Sequence, residues 1–163
     1  MVYIYFDYKA QQTQTAGNVA RSLLKQLECN QVDLSPDLEE LYENSIRKGK
    51  EPSITAFTYL LKSYAQKYPV YAVFDAMDEC ADEYRDNMFT FFNELQKQDY
   101  RILISSRPHQ SLPCQLNDVT PFEIAADRQD VERFILDRLE RAGNKISALQ
   151  NKCLNLADDA QGM

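Results

Sequence analysis

Three short apolar runs, "VYIYFDY" at 2–8, "VYAVFD" at 70–75 and "RILISS" at 101–106, are separated by long stretches in which apolar residues recur at helical spacing. That alternation is the strongest constraint on the fold. Consecutive strands joined through helices run parallel, since a parallel pair needs a long crossover that a helix usually supplies. The aromatic and β-branched content of the first run suits a strand, and its near-continuous apolar character predicts burial on both faces. The expectation is an α/β domain, a three-layer sandwich with a parallel sheet covered by helices.

The helices are legible in outline. Val19, Leu23, Leu24 and Leu27 share a face. Ser35-Pro36 starts a second helix, with Leu38, Leu41, Tyr42 and Ile46 along one side. A third spans about 52–66 and presents Ile54, Phe57, Leu61 and Tyr64, and Tyr68-Pro69 ends it because a residue before proline avoids the helical region. A fourth spans about 83–97 with Met88, Phe91, Phe92 and Leu95 inward. "DVTPFEIA" predicts a further strand, at an edge or entry position because of Pro121. Asp127 caps a helix whose Val131, Phe134, Ile135 and Leu139 should face a core, and one more helix begins near 146.

A length of 163 residues suffices for one domain with a sizeable core. A net charge of −7 without a Lys/Arg cluster disfavours nucleic-acid and anionic-membrane binding. No run approaches the roughly 20 apolar residues of a membrane span, and no signal pattern opens the chain. Cys29, Cys80, Cys114 and Cys153 form no CxxC pair, and His109 alone cannot complete a zinc site, so reduced thiols in a cytoplasmic protein are expected. Both ends read as cut: Met1 leads straight into a strand, and the chain stops at or just after a helix.

The second run ends in acids. In "VYAVFDAMDEC", Asp75, Asp78 and Glu79 follow an apolar strand within five positions. Open α/β sheets bind ligands beyond the carboxyl ends of their strands. Asp75 there suits Mg²⁺, which is often held by one or two carboxylates together with nucleotide phosphates. Asp78 or Glu79 could then orient or deprotonate an attacking water. The residues alone equally fit a solvated acidic turn that caps the next helix.

The order apolar strand, Asp, small residue, apolar residue, two acids resembles the Walker B segment of the NACHT subgroup of signal-transducing P-loop ATPases. "RILISSRP" resembles that family's sensor 1 strand, and "DRQDVERFILDRL" a helix further along it. "YIYFDYKAQQTQTAGNVARSLLKQL" resembles the strand and helix downstream of the phosphate-binding loop. The resemblance is to nephrocystin-like N-terminal NACHT domains of large fungal multidomain proteins. It implies a P-loop NTPase-like core over 1–143, with the start of a helical region at 144–163. It implies Asp75 as Mg²⁺ ligand, Asp78 and Glu79 as the water-activating pair with Asp78 foremost, and Arg107 as the γ-phosphate sensor. A surface Arg paired with a neighbouring acid is the plain alternative for Arg107, and a structural role is the plain one for His109. Asp75, Asp78 and Arg107 should meet at the carboxyl edge, partly exposed and not engaged with one another.

The family's G-x-x-x-x-G-K-[ST] loop is absent and would precede residue 1. Gly49-Lys50 is the sole Gly-Lys pair, and its place after an amphipathic helix suits a C-cap. The first strand and helix of the fold would also be missing, leaving one sheet face exposed. The expected partners are therefore the Walker A segment and C-terminal helical modules of the same polypeptide, and further copies in a homo-oligomer. With these, the resemblance implies an ATP- and Mg²⁺-dependent switch with slow hydrolysis, linked to oligomerisation, self-recognition or cell death; no tightly bound cofactor is expected on this chain alone. Two other readings stay open: a degenerate, non-catalytic interaction module, and a stand-alone metal-dependent hydrolase.

Overall fold

The computed structural model describes residues 1–29, 34–107, 116, 119–124 and 127–142. His109, Cys114, Cys153 and the segment 144–163 lie outside them. The chain forms two compact units, Met1–Val119 and Thr120–Met163.

The first unit carries three parallel strands, β1 (Val2–Tyr5), β2 (Tyr71–Asp75) and β3 (Arg101–Ile104), in the order β1-β2-β3. Register aligns Val2 with Ala72 and Ile102, and Ile4 with Phe74 and Ile104. Between β1 and β2 lie α1 (Ala16–Glu28), α2 (Pro36–Lys48) and α3 (Ile54–Lys67); α4 (Asp82–Gln96) joins β2 to β3. The fold class is as expected: α/β, with a parallel sheet flanked by helices.

The two faces of the sheet differ. Val2, Phe6, Ala72 and Phe74 are fully buried against Leu23, Leu61, Met88, Phe89, Phe92 and Leu95. Phe74 stacks on Phe92 with ring centroids 4.2 Å apart and planes tilted by 37°, an arrangement that adds about 1 kcal/mol beyond area burial. On the opposite face Tyr3, Tyr5, Tyr71 and Leu103 are exposed. Burial of β1 on both faces is therefore not observed, and among the described residues of this unit no helix lies over the second face. Strand order explains it: both crossovers step the same way across the sheet, and right-handed connections in one direction lay their helices on one side.

Local signals account for the helix ends. The Thr15 hydroxyl caps α1 through the Asn18 N–H, and Ser53 caps α3 through that of Ala56. Tyr68 leaves α3 in extended conformation ahead of Pro69. Gly49 ends α2 in the left-handed region at φ 58° and donates to the Ile46 carbonyl, a C-cap as expected. Leu38 and Leu41 of α2 pack on the core, whereas Tyr42 and Ile46 are exposed. Only its first half is thus seated.

Within the second unit α5 spans Arg128–Ala142, and Asp127 accepts from the Gln129 and Val131 N–H groups. Residues 119–124 form no strand, which corrects the expected fourth one. Pro121 supplies no N–H to a ladder, and Phe122 and Ile124 are exposed rather than seated in a core. Phe134, expected inward, is 59% exposed.

Candidate functional site at the carboxyl edge of the sheet

β2 ends at Asp75, and the chain then turns sharply at Ala76, which takes the left-handed conformation (φ 57°, ψ 47°). A single 3-10 turn follows over Met77–Glu79. Buried Met77 and Cys80 pin this turn into the core, so the acids between and before them are held at the sheet edge. The register that pairs Phe74 with Ile104 makes Ser105 the neighbour of Asp75. Backbone bonds extend the alignment past the strands: Ser105 N–H donates to the Phe74 carbonyl at 2.9 Å, and Met77 N–H to the Ser105 carbonyl at 2.9 Å.

Each acid has defined partners. Asp75 is exposed, and its Oδ1 accepts from the Ser105 hydroxyl. The same Ser105 Oγ accepts the Ala76 N–H at 3.0 Å. Asp78, with a side chain only 8% exposed, accepts the Arg107 N–H at 3.2 Å and lies 3.4 Å from Arg107 Nε. Glu79 accepts the Tyr8 N–H at 3.0 Å, lies 3.6 Å from an Arg107 terminal nitrogen, and offers its carbonyl to Gln11 Nε2 at 2.9 Å.

Asp75, Asp78, Glu79 and Arg107 thus gather at one edge of the sheet. The expected freedom from mutual contacts does not hold, because Arg107 spans Asp78 and Glu79. Two carboxylates within reach of one guanidinium attract it, and the Asp78 bond to the Arg107 backbone fixes where that side chain starts. The Arg107 side chain is 73% exposed, so this pairing is weak and open to exchange. The acids do not cap α4: their carboxylates are engaged by Ser105, Arg107 and Tyr8, and the N-cap residue is Ala81, whose methyl group makes no capping bond. The capping form of the acidic-turn reading is thereby removed.

Ser105, Tyr8 and Gln11 were not singled out in the sequence, although they hold the acids in place. Ser105 is visible only once the strand register is known. Tyr8 contributes a backbone N–H, which any residue but proline would offer.

A hard cation fits this edge in one limited way. Among the described residues no group of three or more His, Cys, Asp or Glu side chains is placed to hold a metal. Asp75 offers an exposed carboxylate with one oxygen engaged by Ser105, a donor set that suits Mg²⁺ only when phosphate oxygens and water complete the shell.

The first unit is a parallel α/β domain with acids and an arginine at the carboxyl edge of its sheet, the edge at which open α/β sheets bind ligands. The chain belongs to the nephrocystin 3 N-terminal domain family, whose profile matches residues 1–107. Comparison with curated proteins and with solved structures gave no match. No helix among the described residues is long and apolar enough to cross a membrane.

Proposed function

We propose that this chain is the central part of an ATP- and Mg²⁺-dependent signalling switch of the NACHT type. The observation that carries the reading is the convergence of Asp75, Asp78, Glu79 and Arg107 at the carboxyl edge of a parallel sheet. Asp75 is the carboxylate for Mg²⁺ when nucleotide is bound, and the ion would supply charge neutralisation between the phosphates and the protein. Asp78, with Glu79 beside it, is placed to orient water. Arg107 is the exposed cation that responds to the γ-phosphate. The phosphate cradle is assigned to a Walker A segment of the same polypeptide, because Gly49-Lys50 is a helix cap. Helical modules and further copies of the chain are the remaining partners, and a cytoplasmic location follows from this role.

Calorimetry with Mg·ATP tests the reading. The 163-residue chain should bind weakly or not at all, and a longer chain that carries a G-x-x-x-x-G-K-[ST] loop should bind in a Mg²⁺-dependent way that Asp75→Ala weakens. Absence of Mg²⁺-dependent binding by the longer chain would overturn it.

One observation favours the second reading, a non-catalytic interaction module. Glu79 ties the β1 and β2 ends together through Tyr8 and Gln11, a job that needs no nucleotide. In that case Asp78→Ala and Glu79→Ala change stability alone, with no hydrolysis to lose in the longer chain.

A further inference from the structure

Among the described residues, the outer edge of β1 is met by side chains rather than by a strand. Alternation along β1 sends the N–H and C=O groups of Tyr3 and Tyr5 away from β2, since Phe6, of opposite parity, donates to Asp75. Two glutamines meet three of these four groups, all but the Tyr5 N–H, together with the N–H of Asp7. Gln26 of α1 accepts the Tyr3 N–H at 2.9 Å and donates to the Tyr3 carbonyl at 2.7 Å. Gln14 donates to the Tyr5 carbonyl at 3.0 Å and accepts the Asp7 N–H at 3.1 Å.

A side-chain amide carries the same N–H and C=O as a peptide unit. Gln26 bonds both groups of one residue, as the facing residue of an antiparallel strand does, whereas Gln14 bonds groups two residues apart, as a parallel neighbour does. The two amides together imitate a strand along the edge. What they cover is hazardous. "VYIYF" combines aromatic and β-branched residues with no charge, proline or glycine, the composition that pairs readily with another chain. Tyr3 and Tyr5 side chains are also exposed on the open face, so neither charge nor bulk on β1 itself blocks an approaching strand.

We propose that Gln14 and Gln26 form an edge guard that keeps β1 from pairing, antiparallel and about a two-fold axis, with β1 of a second copy. Each amide satisfies outward groups that would otherwise bond to water, and does so from α1 or the turn before it, so the guard stays in place only while α1 is docked. Pairing requires both amides to leave, which makes the edge closed in the folded chain and available when α1 loosens.

Sedimentation velocity on the 163-residue chain tests this. Gln14→Ala with Gln26→Ala should tighten self-association by about tenfold or more, equivalent to at least ~1.4 kcal/mol. Adding Tyr5→Pro should reverse the gain, because proline removes an N–H that points outward and leaves the β1–β2 ladder intact. Equal self-association of wild type and the double variant would overturn the proposal, as would a gain that Tyr5→Pro does not touch. Circular dichroism checks that the variants fold. Should the double variant unfold, amide hydrogen exchange on the wild-type chain decides: the guard requires slow exchange at Tyr3 and Asp7, and exchange there as fast as in open loops overturns it.

Discussion

The Ser105 hydroxyl donates to the Asp75 carboxylate from the neighbouring strand while accepting the Ala76 N–H. One side chain therefore sets both the orientation of the exposed acid and the start of the turn behind it. Ser105→Ala should cost about 1 kcal/mol, the net worth of an ordinary hydrogen bond, read as a lower urea midpoint with unchanged slope. In a longer, nucleotide-binding chain the same change should weaken Mg²⁺-dependent binding. A midpoint equal to wild type would show that Asp75 holds its place unaided.

Ala76 occupies the left-handed region at φ 57°, where a Cβ costs about 1–2 kcal/mol that glycine avoids. Glycine gives back part of this through unfolded-state entropy. Ala76→Gly should thus stabilise the chain by roughly 0.5–1 kcal/mol, measured as a rise in thermal midpoint. A fall would mean that the turn is not strained.

Glu28 is buried at the end of α1, where it accepts from Tyr64 and from both the N–H and the hydroxyl of Ser35. Burial alone would raise its pKa, but the Ser35 and Tyr64 hydrogen bonds, with Lys67 nearby, outweigh it and hold the carboxyl below the usual range. A lowered folded-state value means stability that is present above the unfolded pKa of about 4.3 and lost as pH falls through the folded value. Glu28→Gln should therefore cost roughly 1–3 kcal/mol at neutral pH, and the gap to wild type should narrow in acid. Urea titrations at about pH 7 and about pH 3 check the sign; a gap of equal size at both would rule the linkage out.

Asp78 and Glu79 differ in their partners: both face Arg107, but only Glu79 also holds the Tyr8 N–H. In a longer chain that hydrolyses ATP, Asp78→Ala should spare nucleotide binding and slow turnover, because an interaction with the attacking water acts on the transition state more than on the bound ground state. Glu79→Ala also releases the Tyr8 N–H and should lower stability by about 1–2 kcal/mol. Equal losses of binding in both variants would place these acids on nucleotide rather than on water.

Much of this was legible before the fold was known. Asp75, Val73 and Phe74 announce a strand that ends in acid, and Met88, Phe91, Phe92 and Leu95 announce the inward face of α4, because periodicity is a local property. Three features were not. Tyr3 and Tyr5 read as buried because an apolar strand does not record which of its faces has a helix to meet. "DVTPFEIA" reads as a strand because its composition resembles one, yet pairing needs a neighbour that composition cannot name. Ser105 depends on a register that only the assembled sheet defines.

The chain holds ten tyrosines and no tryptophan, and the sheet sorts some of them sharply. Tyr3, Tyr5 and Tyr71 lie on the open face, while Tyr64 and Tyr100 are interior, with the Tyr64 phenol pushed up to about 12 by burial and by its bond to Glu28. The open face consequently carries its own chromophores. Anything laid across it, whether another module of the polypeptide or a second molecule, would move three phenol rings from water into contact with protein. Near-ultraviolet difference spectra of the unlabelled chain would register that event directly, without a tryptophan background to subtract.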